Sequence, residues 1–135
     1  MLEKNIILKN DCPFCRVDPS RIIFENRFCF AVRDRAPITK LHTLIVTKRH
    51  IVDYFSLNQE ENESIWKMIN SLKENIIKID PAVTAFNIGC NAGKDAGQTV
   101  FHFHFHLIPR RHLEQSKVTD AVAGDFCFSQ PEKRR

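Results

Sequence analysis

Val100-Phe101-His102-Phe103-His104-Phe105-His106-Leu107-Ile108 alternates large apolar residues with histidines and then meets Pro109. Strict alternation is the signature of a half-buried strand, because successive strand side chains point to opposite faces. The spacing predicts a strand over Val100 to Ile108, stopped at Pro109. His102, His104 and His106 share one face. Phe101, Phe103, Phe105 and Leu107 share the other, where they anchor the strand in a core. Three neighbouring imidazoles stabilise a sheet poorly, since each needs hydrogen-bond partners and joint protonation is repulsive. Two chemistries suit such a row: metal ligation, or nucleophilic attack by one neutral imidazole with its neighbours orienting it. The spacing alone does not choose between them.

Upstream, Asn91-Ala92-Gly93-Lys94-Asp95-Ala96-Gly97-Gln98-Thr99 forms a polar, glycine-rich approach to the strand, a candidate cradle of backbone N–H groups for phosphate. Ala82 to Ile88 reads as another strand, and Gly89 to Gly97 as loop. Before it, Ile65, Ile69, Leu72, Ile76 and Ile79 recur at spacings of three and four, the stripe of one long helix. Trp66 and Met68 flank the stripe and are expected to pack. Ser56 with Gln59 is the expected capping box, and Pro81 after Asp80 the stop. Thr43 to Thr47 is a β-branched strand; Ile22 to Glu25 and Phe28 to Val32 flank Asn26-Arg27 as a hairpin. Residues 12–20 read as loop. Strands, one long helix and further strands predict an α+β fold with an antiparallel sheet.

The 135 residues suit one domain, with a core over about 12–111 and a variable segment over 112–135. A hydrophobic content of 43% and a charged content of 27% argue against disorder and against a membrane protein. No apolar run approaches the roughly 20 residues of a membrane helix. The N-terminus lacks a signal-peptide layout, so a cytoplasmic protein is expected. The net charge of +4 is mild: Lys133-Arg134-Arg135 reads as a solvated tail, and Arg16, Arg33, Arg35, Lys48, Arg49, Arg110 and Arg111 are scattered without a basic stripe. A phosphate-bearing ligand fits this balance; nucleic acid is not expected. Five cysteines in a cytosolic chain argue against a disulfide framework. Cys29, Cys90 and Cys127 read as small buried hydrophobes, while Cys12-x-x-Cys15 stands apart.

The segment Ala96-Gly97-Gln98-Thr99-Val100-Phe101-His102-Phe103-His104-Phe105-His106-Leu107-Ile108 resembles the signature of the histidine-triad (HIT) proteins. The likeness extends through Phe86-Asn87-Ile88-Gly89, Asn91 and the stretch from Asp34 to His50, spanning roughly residues 12–111. It implies a HIT-like fold: about five antiparallel strands, one long helix and a short one, paired into a two-fold homodimer. It further implies a nucleotide hydrolase or transferase in which His104 attacks the α-phosphorus and forms a nucleotidyl-histidine. His106 would then serve the bridging oxygen, His42 would support the nucleophile's surroundings, and Thr99 would assist the leaving group. Asn91 and Gln98 would face the phosphates, Asp34 the ribose hydroxyls, and Phe14, Val17 and Val32 would wall the base pocket of an adenine nucleotide. Leu41 stands where the family usually has glycine. No metal is required for this chemistry. Zinc-carrying members imply a structural Zn2+ on Cys12, Cys15, His50 and His102; His112 matches nothing and reads as surface.

Asn87-Ile88-Gly89, Gly97-Gln98-Thr99-Val100 and Leu107-Ile108-Pro109-Arg110 look like bacterial diadenosine-polyphosphate hydrolases, although Ala121 to Gln130 departs from their usual ending and only Pro131-Glu132-Lys133-Arg134 echoes it. A purine nucleoside phosphoramidase of the same family is the alternative, followed by a nucleotide-binding regulator with negligible turnover. A zinc-dependent nucleic-acid module ranks last, because the histidines lack zinc-finger spacing and no basic helix accompanies them.

Overall fold

The computed structural model describes residues 11–112. The expectations for the C-terminal tail and for Cys127 lie outside the described residues. Five strands form one antiparallel sheet: β1 (Ile22–Glu25), β2 (Cys29–Arg33), β3 (Thr43–Thr47), β4 (Val83–Gly89) and β5 (His104–Arg111), in the order β1-β2-β3-β5-β4. One α-helix, α1 (Gln59–Ile79), joins β3 to β4. The expected second, short helix is represented among the described residues only by single 3-10 turns at Pro19–Arg21, Tyr54–Ser56 and Lys94–Ala96.

Period-two alternation divides the sheet into two faces. Cys29, Ala31, Ile45 and Leu107 point to the helix and join Ile65, Met68, Leu72 and Ile76 in one buried cluster. Fully burying each such aliphatic side chain stabilises the fold by about 1.5–3 kcal/mol. Phe30, Val32, Leu44 and Val46 point the other way and pack with Cys12, Phe14 and Val100. Cys29 therefore belongs to the packing, and burial pushes its thiol up to about 11. The hairpin turns on Asn26, whose Oδ1 accepts from the N–H groups of Phe28 and Cys29, both at 2.9 Å.

Several expectations are corrected here. The capping box of α1 is Asn58 with Glu61, not Ser56 with Gln59: Asn58 Oδ1 accepts from Glu61 N at 2.8 Å, and Glu61 Oε1 accepts from Asn58 N at 3.0 Å. Ser56 instead ends a separate 3-10 turn. Met68 is a core residue, whereas Trp66 and Ile79 at the ends of the stripe are 65% and 53% exposed. The last strand starts at His104 and runs through Pro109 to Arg111. Proline is tolerated because β3 pairs no further than Leu107, opposite Thr43, so no ladder bond on that side needs its missing N–H. The Pro109 carbonyl accepts from Thr39 Oγ1 at 2.7 Å. Phe101 precedes the strand and is 44% exposed, outside the core it was expected to anchor.

Candidate active site

The three histidines are buried, at 0% exposure for His102 and His106 and 3% for His104. Only the last two lie on β5, side by side on the face away from α1, with ring centroids 5.3 Å apart. His102 sits just before the strand, where the chain is held by Phe103 N donating to Ile51 O at 2.8 Å.

Backbone partners fix which nitrogen of each ring carries the proton. A carbonyl only accepts, so the 2.8 Å contact between His104 Nδ1 and His102 O requires a proton on Nδ1. The lone pair of neutral His104 is then on Nε2. His102 is the mirror case: Nε2 donates to Thr47 O at 2.7 Å, leaving the lone pair on Nδ1. Burial, the largest influence, pushes the pKa of His102 down to about 4, which keeps it neutral near pH 7. For His42, Nδ1 accepts from Ile38 N at 3.1 Å, so Nε2 bears the proton. That nitrogen lies 3.0 Å from His106 Nδ1 and 3.4 Å from Asp34 Oδ2. His42 thereby donates to His106, whose own proton in the neutral ring is on Nε2. Asp34 is buried beside this pair, and its Oδ1 accepts from Ala36 N at 2.9 Å.

This chain of donors also bears on a metal. Asp34, His42 and His106 bring ligand atoms within 4.8 Å of one another. A cation would need the lone pair on His42 Nε2, which would set an Nδ1–H against the Ile38 N–H. The geometry suits proton placement, not ligation.

The second cluster suits ligation. Cys12, Cys15, His50 and His102 also bring their ligand atoms within 4.8 Å. Cys12 Sγ to His102 Nδ1 is 3.3 Å, Cys15 Sγ to His50 Nδ1 3.0 Å, Cys15 Sγ to His102 Nδ1 3.5 Å, and the two Nδ1 atoms are 3.1 Å apart. Zinc bond lengths and tetrahedral angles demand roughly 3.3–3.8 Å between such donors. The lone pair of His102 already faces this group, so the residues fit Zn2+. Arg49, next to His50, is gripped by Glu61 of α1 through Nε to Oε2 at 2.8 Å and Nη2 to Oε1 at 2.7 Å, which ties the His50 segment to the helix start.

The remaining expected residues fall around this centre. The Phe14 ring packs 5.0 Å from His104 and 5.8 Å from His102, between the two clusters. Val32 is fully buried and Val17 half-buried against the same apolar group. Asn91 is buried and Thr99 exposed. Gln98 is 2% exposed, and its amide closes the loop: Oε1 accepts from Gly93 N at 2.8 Å, and Nε2 donates to Val52 O at 2.7 Å and Val100 O at 3.1 Å. Gly93, at φ 104° and ψ 154°, occupies a region essentially reserved for glycine. Leu41 is the sole non-glycine residue with positive φ among the described residues, at 72°. His112 is exposed.

Residues 16–113 match the sequence profile of the HIT domain. The chain belongs to the HIT family. Adenylylsulfatase HINT3 of Arabidopsis thaliana is 33% identical over 79% of this chain and 56% of its own, so the chain spans only about half that relative's length. A Zn-bound histidine triad family protein from Mycobacterium smegmatis superposes with a TM-score of 0.69 at 31% identity, covering 76% of each chain. A histidine triad nucleotide-binding protein from Candida albicans gives 0.67 at 29% identity, covering 75% of this chain and 76% of its own. The HIT-like α+β fold and a nucleotide-binding or hydrolase role accordingly hold for this chain. Sequence reasoning missed one residue of this HIT site face, Arg110, and one contact of a residue it had named, Asp34. Asp34 contacts His42 as well as being a candidate for ribose, and Arg110, taken for one of the scattered charges, is 4% exposed on the face that carries His104.

Proposed function

We propose that the protein hydrolyses, or transfers, the nucleotidyl group of a dinucleoside polyphosphate of the diadenosine tetraphosphate type. The observation that carries this reading is the fixed set of tautomers: His104 Nδ1–H is held by the His102 carbonyl, and Ile38, His42 and His106 form a directed donor chain. In the first step the His104 Nε2 lone pair attacks the α-phosphorus. A P–N bond forms and the bond from phosphorus to the bridging oxygen breaks. The oxygen departs as the anionic end of the polyphosphate and accepts a hydrogen bond from His106 Nε2–H, while His42 Nε2–H at His106 Nδ1 holds that tautomer in place. Water then attacks the nucleotidyl-histidine: a P–O bond forms, the P–N bond breaks, the Nε2 lone pair of His104 is restored, and a proton of the water is released to solvent with the nucleotide. Thr99 assists the leaving oxygen, and Asn91 with the loop closed by Gln98 supports the phosphates. Phe14, Val17 and Val32 form the base side, and Asp34 accepts from the ribose hydroxyls.

Structural Zn2+ on Cys12, Cys15, His50 and His102 would clip residues 12–17 to the start of the catalytic strand and hold Phe14 against His104. It supplies no chemistry to the reaction. Homodimer formation is favoured by the edge position of β4 among the described residues and by exposed Ile88, Trp66 and Ile79 on β4 and α1. A phosphoramidate substrate is the second reading, because the same histidines serve either leaving group.

A side-by-side assay of a diadenosine polyphosphate and adenosine phosphoramidate tests the proposal. Hydrolysis of the former with the larger kcat/KM, lost in His104→Ala, is expected; the opposite preference would transfer the protein to the second reading. AMP binding without turnover of either would make it a binding regulator.

A further inference from the structure

Arg110 is 4% exposed, yet among the described residues neither Nη1 nor Nη2 has a hydrogen-bond partner. Only Nε is engaged, donating to Asn87 Oδ1 on β4 at 2.7 Å. Its neighbour Arg111, on the opposite face, is bonded to Asp80 and to the Lys40 carbonyl. A buried guanidinium with both terminal amino groups idle is costly to the folded state, and such groups in native proteins call for an explanation. A surplus of donors presented as a planar fork is what carboxylate or phosphoryl oxygens require.

The position of Arg110 narrows the ligand. Along β5, His104, His106, Ile108 and Arg110 share one face. On β4, Asn87 lies opposite Ile108, and Gly89, which has no side chain, lies opposite His106. On the other flank, Leu44 lies opposite His106 and Val32 opposite Leu44, leading to the apolar side where Phe14 packs. The histidines thus stand between an apolar side toward β2 and a side toward edge strand β4 that carries Asn87 and Arg110. A nucleotide whose base lies toward β2 sends its leaving group toward Arg110. Four residues of strand, about 13 Å, separate His106 from Arg110. A polyphosphate chain and an extended arginine side chain together bridge that span.

We propose that Arg110, steadied by Asn87, receives phosphoryl oxygens of the leaving group beyond the scissile bridge, so that the enzyme selects substrates whose leaving group is anionic. This rests on the reading of His104 as the nucleophile at the α-phosphorus. It turns an unassigned residue into the determinant that separates polyphosphates from phosphoramidates.

The test uses the full chain with Arg110→Met, which keeps the length and apolar stem but removes the fork. The ratio of kcat/KM for diadenosine tetraphosphate to that for adenosine phosphoramidate should fall roughly 10- to 100-fold, the range expected for losing charge-assisted hydrogen bonds. Arg110→Lys, which keeps the charge without the fork, should recover part of it. Thermal stability should hold or rise, because a buried unpaired charge is removed. Calorimetric titration supplies a readout independent of turnover: the ratio of ATP to AMP affinity should fall in the same variant. If the wild-type protein turns over neither substrate, the hydrolase reading fails while the ATP-to-AMP ratio still decides the role of Arg110. Unchanged ratios overturn the proposal. So does a parallel loss of both activities with a lowered Tm, which marks a structural residue. Dissociation of a dimer with unchanged ratios would assign the fork to a carboxylate of a second copy, and also overturns it.

Discussion

Two substitutions of His42 separate the two halves of its hydrogen bonding. His42→Asn keeps an acceptor near the position of Nδ1, able to receive the Ile38 N–H, and loses the donor that reaches His106. His42→Gln extends a donor amide toward the position of Nε2, 3.0 Å from His106 Nδ1, and loses the acceptor for Ile38. In stability each variant forfeits one buried hydrogen bond and strands its partner, a cost of about 1–3 kcal/mol. Their catalytic costs differ. The bond to His106 orients the Nε2–H that meets the negative charge growing on the departing oxygen, so losing it should remove about 1.5–3 kcal/mol of transition-state stabilisation, or roughly 10- to 100-fold in kcat. His42→Asn should therefore show that loss, while His42→Gln retains most of kcat at similar Tm. Stopped assays under single-turnover conditions, paired with thermal melts, give both numbers. Equal kcat values, or a faster Asn variant, would refute the assignment of His42 as the donor that sets the His106 tautomer.

Chelation, or Cys15→Ser, should lower Tm on the order of 10–20 °C if zinc is bound far below its free concentration; elemental analysis finding no zinc per chain, with an unmoved melt, would dismiss the metal. Leu41→Gly should be nearly neutral, within about 1 kcal/mol, because relief of about 1–2 kcal/mol of left-handed strain offsets the loss of a half-buried side chain. Chemical denaturation showing a core-sized loss of about 2–5 kcal/mol would contradict that balance. Acidification should destabilise the metal-free protein. His102 in the unfolded chain takes up its proton near pH 6.5 whereas the folded chain resists to about 4, so up to ~3 kcal/mol is lost as the pH falls between those values. His102→Gln should flatten the slope of stability against pH in that window, and an identical slope would show that His102 does not control it.

The periodic parts of this fold were legible because burial writes a period of two or of 3.6 into the sequence. The β2 and β3 faces and the Ile65–Leu72–Ile76 stripe follow from it directly. Ends were less legible, since they depend on single contacts. Ser56/Gln59 and Asn58/Glu61 are both plausible caps, and only the 3-10 turn at Tyr54–Ser56 removes the first. His102 alternates with its neighbours yet leaves the strand, because β3 pairs only as far as His104 and the Phe103 N–H goes to Ile51. The gathering of Cys12, Cys15, His50 and His102 was readable only through family likeness, as the cysteine pair and the two histidines lie in three separate loops. The Asp34–His42–His106 contact and the burial of Arg110 carry no periodic signal at all. They arise from loop closure around Thr39 and from the register that sets Arg110 beside Asn87.

The most direct measurement is the mass of the protein quenched in acid-free denaturant during turnover of a diadenosine polyphosphate. A nucleotidyl adduct that maps to His104, forms and decays at rates compatible with kcat, and is missing in His104→Ala is the predicted result. Steady turnover with no adduct on His104, or undiminished turnover in His104→Ala, would contradict the account.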